Sequence, residues 1–574
     1  MSSSDESESP PRPRRRRPPP PELPPKYYRD NFDEFLRFVA HHYGGLLDPE
    51  ERAFVTCLQG LDEDARCLYA RLAHRRGQFF RLDGLNYPEI QDLAAAVATL
   101  DAVGLVESLG AWGKTPQSHE PLLAWLTRRE LSQILRDLDR WQPSLTKGPK
   151  EGLIKALASA DGVTPGDLVA AVEARGRVIC RRGDGMMAWL RFLFFGRPTV
   201  DLSAFVLRDL GYRRVETIDP AQLAPHYQCR AEAVACWAVA EAAAQFAVLA
   251  DSACPERVAA WWFSWWATRP LEPAARTKTE RLARTVGRFF ERQSHFEAAE
   301  RAYAPLQQPP ARERRVRLLQ RLGRKAEALA LAEAMATEPG SAEEAIAAAD
   351  IIARLKSPKR PLKRATATLR AAPSVALDPR FRGAVEQGVI HHLHGEGLQA
   401  IHSENWLWCG LFGLLFWDVL YDGTPGAFHH PLQMGPADLA RDNFYHSRRA
   451  AIEAQLALLE DPSRCLALLG QRFEAKRGLT NPFVVWHPGL LSAIAVCLGQ
   501  FPSPGIARVL EGMAQDPRHS RRGFPDLLVW GAGGGRLVEV KGPNDQLSAL
   551  QLHWLEFFNR VEIDAQVLQV SWKT

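Results

Sequence analysis

Asp526, Glu539 and Lys541 are the residues of this 574-residue chain whose types and spacing point most directly to a reaction. Gly523-Phe-Pro-Asp-Leu-Leu-Val-Trp530 and Arg536-Leu-Val-Glu-Val-Lys541 are apolar runs divided by Gly531-Ala-Gly-Gly-Gly535, the pattern of a β-hairpin. Asp526 stands at the mouth of the first strand. Glu539 and Lys541, two apart on the second, share one face, while Val540 points the other way into a core. Pairing the strands brings Asp526, Glu539 and Lys541 together. Two carboxylates and a lysine at one point suit metal-assisted phosphodiester chemistry. Carboxylate oxygens hold hard cations such as Mg²⁺ or Mn²⁺. A bound cation lowers the pKa of its water and neutralises charge developing on a phosphate. A lysine can position that water or stabilise the pentacovalent transition state. An arbitrary Asp…Glu-x-Lys is more often a surface hairpin whose Glu and Lys simply pair.

The surrounding letters argue against that bland reading. Pro525-Asp526, then twelve residues, then Glu539-Val540-Lys541 resembles the PD-(D/E)xK nuclease signature. The longer strings Gly523–Trp530 and Leu537-Val-Glu-Val-Lys-Gly-Pro-Asn-Asp545 are similar to the VRR-NUC branch, and within it to the Fanconi-associated nuclease family of structure-specific DNA repair enzymes. The resemblance is densest over 385–574 and continues through Trp417-Asp-Val-Leu-Tyr-Asp-Gly-Thr-Pro425 and Asp442-Asn-Phe-Tyr-His-Ser-Arg448, which look structural. It implies a restriction-endonuclease-like core of strand, strand, helix and strand, closing on Ala565–Val570, and one or two Mg²⁺ or Mn²⁺ ions. It implies a third acid, taken from a helix before the hairpin. Glu386, Glu396 and Glu404 are the candidates. By letters, His394-Gly-Glu-Gly397 matches the family pattern. By spacing to Leu411-Phe-Gly-Leu-Leu-Phe-Trp-Asp418 the match is Glu404. A ten-residue shift along a helix moves a carboxylate about 15 Å, so register decides for Glu404, with Glu396 as runner-up. The metal set is then Glu404, Asp526, Glu539 and the Val540 carbonyl. Gln551 matches the glutamine that VRR-NUC domains carry beside the active lysine, completing the catalytic group Asp526, Glu539, Lys541 and Gln551. Its helix is expected to run from Gln546 to about Arg560, capped by Asn544 or Asp545. His391, His392, His394 and His402 repeat no common zinc-ligand spacing.

The elements that must position this site follow from composition and pattern. The chain is 46% hydrophobic and 24% charged, with a net charge of +5, so an anionic partner must be met by local patches. Its length exceeds one core and predicts a multidomain, mostly α chain with a C-terminal α/β nuclease domain. The divisions expected are a Pro/Arg tail at 1–25 with the composition of disorder, a helical, winged-helix-like DNA-binding region at 26–120, a SAP-like DNA-binding domain with helical extension at 121–255, TPR-like helical repeats at 256–372 and the VRR-NUC domain at 373–574. In the second region Arg66, Arg71, Arg75, Arg76 and Arg81 are candidates to track a DNA backbone. Leu131–Leu138 and Thr146–Leu157 resemble the two helices of a SAP motif, with Lys147 and Lys150 at the start of the second. Arg181 and Arg182 are candidates to grip duplex DNA. The run Arg312, Arg314, Arg315, Arg317, Arg321, Arg324, Lys325 is a rival DNA surface within the repeats. Arg518, Arg521 and Arg522, just upstream of Asp526, are placed to hold the scissile strand or a 5′ end.

Nine scattered cysteines without a Cys-x-x-Cys pair signal neither a disulfide framework nor a zinc module, and fit a reducing compartment. No membrane-length apolar run and no signal-peptide segment are expected. The family resemblance implies cleavage near the junction of 5′-flap DNA, 5′→3′ exonuclease activity and a place in interstrand cross-link repair. Eukaryotic members carry an N-terminal ubiquitin-binding zinc finger, and no Cys/His pair here forms one. That departure points to a bacterial-type member, cytoplasmic and nucleoid-associated, where a eukaryotic one would be nuclear. The alternatives are a Holliday-junction resolvase and a non-catalytic scaffold that binds branched DNA.

Overall fold

In the computed structural model the described residues are 21–573 except 115–118, 143–147, 160–162, 199, 252–253, 358, 360 and 442. The tail to residue 20 and Lys147 therefore lie outside them. Two compact units form. One comprises the described parts of 1–36, 56–184 and 201–214, and the other 37–55, 185–200 and 215 onward.

The first unit is helical around a small antiparallel sheet. Strands β1 (Phe79–Arg81), β2 (Val106–Ser108) and β3 (Val178–Arg181) pair in the order β1-β3-β2. The helix Arg128–Asp137 begins with a Thr127/Glu130 capping box and buries Leu131, Ile134 and Leu135. Its neighbour runs Lys150–Ala158. Both pack into one core with Leu109, Trp112 and Leu168.

The arginines of this unit are largely spent on the protein itself. Arg181 is expected to touch DNA, yet its guanidinium donates to the carbonyls of Leu72 and Gly77 and pairs with Asp184 at 2.5 Å, with 10% of the side chain exposed. Arg71 pairs with Glu89 at 2.6 Å, Arg81 with Glu130, and Arg182 with Glu107 at 2.9 Å. Arg66 donates to the carbonyls of Gln59 and Leu61. Lys150 donates to the Ala124 carbonyl.

In the second unit the helices Pro273–Arg292, Phe296–Tyr303, Ala311–Arg321, Lys325–Thr337 and Ala342–Lys356 pack each against the next. A Cβ at Gly287 would sit 2.6 Å from the Tyr303 ring, so the first two helices meet where one side chain is missing. The helix Arg230–Asp251, 22 residues long, is apolar enough to cross a membrane by length and composition, which the sequence reading did not anticipate. Its alanines supply that hydropathy. It packs on Pro273–Arg292 and buries Ala233, Cys236, Val239 and Phe246.

The nuclease sheet has five strands: β4 (Ser374–Leu377), β5 (Gln399–His402), β6 (Leu527–Gly531), β7 (Gly534–Lys541) and β8 (Ala565–Trp572), in the order β4-β8-β7-β6-β5. β4, β8 and β7 run parallel, while β6 is antiparallel to both β7 and β5. The strand–strand–helix–strand core is as expected. β4 and β5 are strands that the sequence reading left out. One face packs Leu528, Leu537 and Val567 against apolar helices that include Trp406–Leu415, Leu490–Gln500 and Ala549–Arg560. The other packs Leu527, Val529, Val538 and Val540 against Val389 and Leu393 of the helix Val385–Gly395. The hairpin turns at Ala532-Gly533, and Gly534 follows at φ +95°, a conformation that favours glycine.

Candidate active site

Register and packing assemble the site at the open end of β6 and β7. Leu527 pairs with Val538, so Asp526, one residue before the strand, reaches the second strand of the hairpin. There its Oδ2 accepts the Val540 N–H at 2.8 Å. Val540 itself is buried on the opposite face, as its alternation with Glu539 and Lys541 predicts. Glu539 is 1% exposed and Lys541 8%. The Lys541 ammonium lies 2.8 Å from Glu539 Oε1. Gln551 ties the two together, donating Nε2 to Glu539 at 2.5 Å and accepting from Lys541 at 3.3 Å. Its Oε1 also accepts the Ser548 N–H at 3.0 Å. Gln551 is the third residue of the helix Ala549–Arg560, whose N-cap is Ser548 in a capping box. The expected cap is corrected by this. Asp545 instead accepts the Gly542 N–H and holds the loop before the helix.

Burial sets the electrostatics. The Asp526 carboxyl is pushed up to about 6, chiefly by desolvation, with the Glu404 carboxylate adding to the rise. Glu539 is pushed up to about 8, because burial and the neighbouring Asp526 outweigh the adjacent Lys541 ammonium. Glu539 Oε2 is buried with no hydrogen-bond partner. A buried, unpartnered carboxylate oxygen costs free energy unless a cation meets it. The donor set and this oxygen fit a divalent ion.

Glu404 lies near Asp526 and Glu396 does not. Glu396 caps the C-terminus of Val385–Gly395, 54% exposed and 3.2 Å from the ring of His392. Glu404 sits not on a helix, as expected, but in the turn between β5 and Trp406–Leu415. The Ser403 N–H donates to the Asp526 carbonyl at 2.7 Å, extending the β5–β6 ladder to this point. Asn405, at φ +57°, donates its side-chain amide to Glu404 Oε1 at 2.8 Å. One oxygen each of Glu404 and Asp526 lies within 4.8 Å of the other and of a ring nitrogen of His402. Glu386, in the first turn of Val385–Gly395, is near enough to raise Asp526 as well.

A second feature of this unit is a cavity of about 510 Å³ lined by six arginines, 281, 284, 288, 314, 518 and 522, against three glutamates, 313, 343 and 344. Arg518 and Arg522 are the residues singled out upstream of Asp526, whereas the Arg521 guanidinium lies 5.9 Å from the Phe483 ring. Arg281 and Arg284 are held below their ordinary values by desolvation and by neighbouring cations, Arg518 among them. Sequence reasoning passed over Arg281, Arg284 and Arg288. Their spacing of three and four on one helix, which places them on a single face, was the signal.

Fold and site together define a metal-dependent nuclease of the PD-(D/E)xK type. Family models for the VRR-NUC domain and for the FAN1 HTH domain match residues 461–572 and 26–107. A Pseudomonas aeruginosa protein, Fanconi-associated nuclease 1 homolog, is 33% identical over 96% of this chain and 96% of its own length. The chain belongs to the Fanconi-associated nuclease family. The Arabidopsis thaliana homolog is 29% identical over 93% of this chain and 66% of its own length. Human Fanconi-associated nuclease 1 is 37% identical over 33% of this chain and 19% of its own. The crystal structure of paFAN1 bound to 2nt 5′ flap DNA with gap superposes with a TM-score of 0.80 at 31% identity, covering 96% of this chain and all of that one.

Proposed function

We propose that this nuclease cuts branched DNA presenting a 5′ flap, near the junction, and that its ion is Mg²⁺ or Mn²⁺. The observation that carries the reading is the likeness, over nearly the whole chain, to paFAN1 solved with 5′-flap DNA carrying a gap. Glu404, Asp526, Glu539 and the Val540 carbonyl hold the ion, which when bound supplies an acidified water and charge neutralisation at the phosphate. Lys541, fixed beside Glu539 by Gln551, orients the attacking water and faces the charge that builds as its oxygen bonds to phosphorus and the ester oxygen departs. Gln551 acts by positioning: one amide aligns both Glu539 and Lys541. The arginine cavity holds a terminal 5′ phosphate by charge-assisted hydrogen bonds from Arg281, Arg284, Arg518 and Arg522. Exonuclease action 5′→3′ and service in interstrand cross-link repair belong to the same reading. Arg182 and Lys150 remain candidates for duplex contacts in the other unit.

The test is cleavage of labelled 5′-flap, 3′-flap, Holliday-junction and plain duplex DNA with Mg²⁺, Mn²⁺ or EDTA. The 5′ flap is cut with either ion, and Asp526→Ala reduces cutting at least about a hundredfold. Symmetric cutting of the Holliday junction in preference to the flap makes the protein a resolvase. Binding without cutting makes it a scaffold. Glu404→Ala matches Asp526→Ala in loss, while Glu396→Ala cuts normally; the reverse moves the third ligand to Glu396.

A further inference from the structure

His402 closes β5 opposite Leu527, two residues before Glu404. A ring nitrogen of His402, an oxygen of Glu404 and an oxygen of Asp526 all lie within 4.8 Å of one another. Among the described residues, this is the one group of three or more His, Cys, Asp or Glu side chains so placed. Nε2 stands 3.9 Å from Glu404 Oε2, beyond hydrogen-bond length, so that carboxylate does not occupy the ring. The arrangement is anchored on both sides. The Ser403 backbone is bonded to that of Asp526, and Glu404 is held by Asn405 through its other oxygen, Oε1.

We propose that His402 is itself a ligand of the catalytic cation, placing one imidazole nitrogen among the carboxylate oxygens and tilting the site toward Mn²⁺ over Mg²⁺. The inference rests on the reading of Glu404 and Asp526 as ligands. Mg²⁺ takes oxygen donors and demands near-ideal octahedral geometry, whereas imidazole raises affinity for first-row transition ions in the Irving–Williams order. A nitrogen donor therefore favours Mn²⁺ over Mg²⁺ and draws the ions above Mn²⁺ more strongly still. A solvated ring that only pairs with Glu404 when protonated gives no such preference.

The probe is Mn²⁺ alone, added to the DNA-free protein and followed by electron paramagnetic resonance, with spin-echo modulation reporting any directly bound nitrogen. Wild type shows the modulation of one coordinated imidazole. His402→Ala and His402→Gln both lose it and bind Mn²⁺ about tenfold more weakly. Their Mg²⁺ affinity, read by competition, shifts less than about threefold, so the Mn²⁺/Mg²⁺ preference falls. Bound Mn²⁺ without nitrogen modulation in wild type overturns the proposal, as does modulation that persists in either variant. Failure of the underlying site reading looks different, since Asp526→Ala would then keep its nitrogen-coordinated Mn²⁺ undiminished.

Discussion

The helices Ala311–Arg321 and Pro273–Arg292 are both rich in arginine, and, Arg276 apart, which pairs with Glu280, they use it in opposite ways. On the first, Arg312 pairs with Glu344, Arg314 with Glu291, Arg315 with Glu300 and Arg317 with Glu313. On the second, Arg281 and Arg288 have no carboxylate partner among the described residues, and Arg284 donates only to the Pro309 carbonyl. Instead burial first, and then neighbouring cations with Arg518 among them, hold Arg281 and Arg284 below their ordinary values. The paired set is scaffold. In the function proposed above, the crowded set meets an anion that arrives from outside. A run of basic residues in a sequence does not tell the two apart, because the deciding carboxylates lie 15 positions away for Arg315 and 32 for Arg312.

The sharpest way to break this contrast is Arg312→Ala. Its partner Glu344 has a side chain 2% exposed, so the variant strands a buried carboxylate and loses about 3–5 kcal/mol of stability in urea unfolding. DNA affinity of the folded protein stays at the wild-type value. A loss under about 1 kcal/mol, or a fall in affinity without one, would remove the distinction. Arg284→Ala is the converse and smaller effect. Affinity for a 5′-phosphorylated flap falls about tenfold or more, from the loss of a hydrogen bond to a charged group. A 5′-hydroxyl flap loses much less, and the melting temperature holds or rises as like charges separate. A drop of equal size on both flaps would sink the phosphate reading of the cavity.

The same contrast marks what was legible beforehand. The hairpin and its Asp526, Glu539 and Lys541 were readable because both rules involved are local: alternation along a strand, and glycine at the turn. Register brought Glu404 beside Asp526 but put it on the wrong element. β5 is only four residues long, and the ladder that defines it comes from Leu527–Trp530, more than a hundred residues later. The cap at Ser548 escaped because Asn544 and Asp545 are equally good cap formers, and only the capping box with Gln551 separates them. Arg181 was expected to reach DNA, but its guanidinium is taken up by Asp184 and by backbone carbonyls in a segment about a hundred residues earlier, which its position in the chain does not show. The cavity was missed as a whole, because separate stretches of chain assemble it.

Histidine offers a third outcome for a cationic group without a partner. His429 and His430 are buried and His226, partly buried, lies against them, its ring 4.1 Å from that of His429 and its Nε2 without a hydrogen-bond partner. Burial holds all three below the ordinary value, His430 down to about 3; the His429 ring adds to the effect on His226 and His430, and Lys278 to that on His226 and His429. Arg441 lowers His429 further and Asp438 opposes it. These groups stay neutral rather than paired. Between about 3 and the ordinary 6.5 the unfolded chain binds protons that the folded chain refuses, so stability is complete above 6.5 and is lost as the pH falls. His430 alone accounts for about 2 kcal/mol between pH 7 and pH 5. His430→Leu should flatten the dependence of unfolding free energy on pH over that window, whatever it does to stability at pH 7. If the variant and wild type instead lose stability in parallel, His430 is taking up its proton in the folded state, and burial would not be what separates the neutral histidines from the paired arginines.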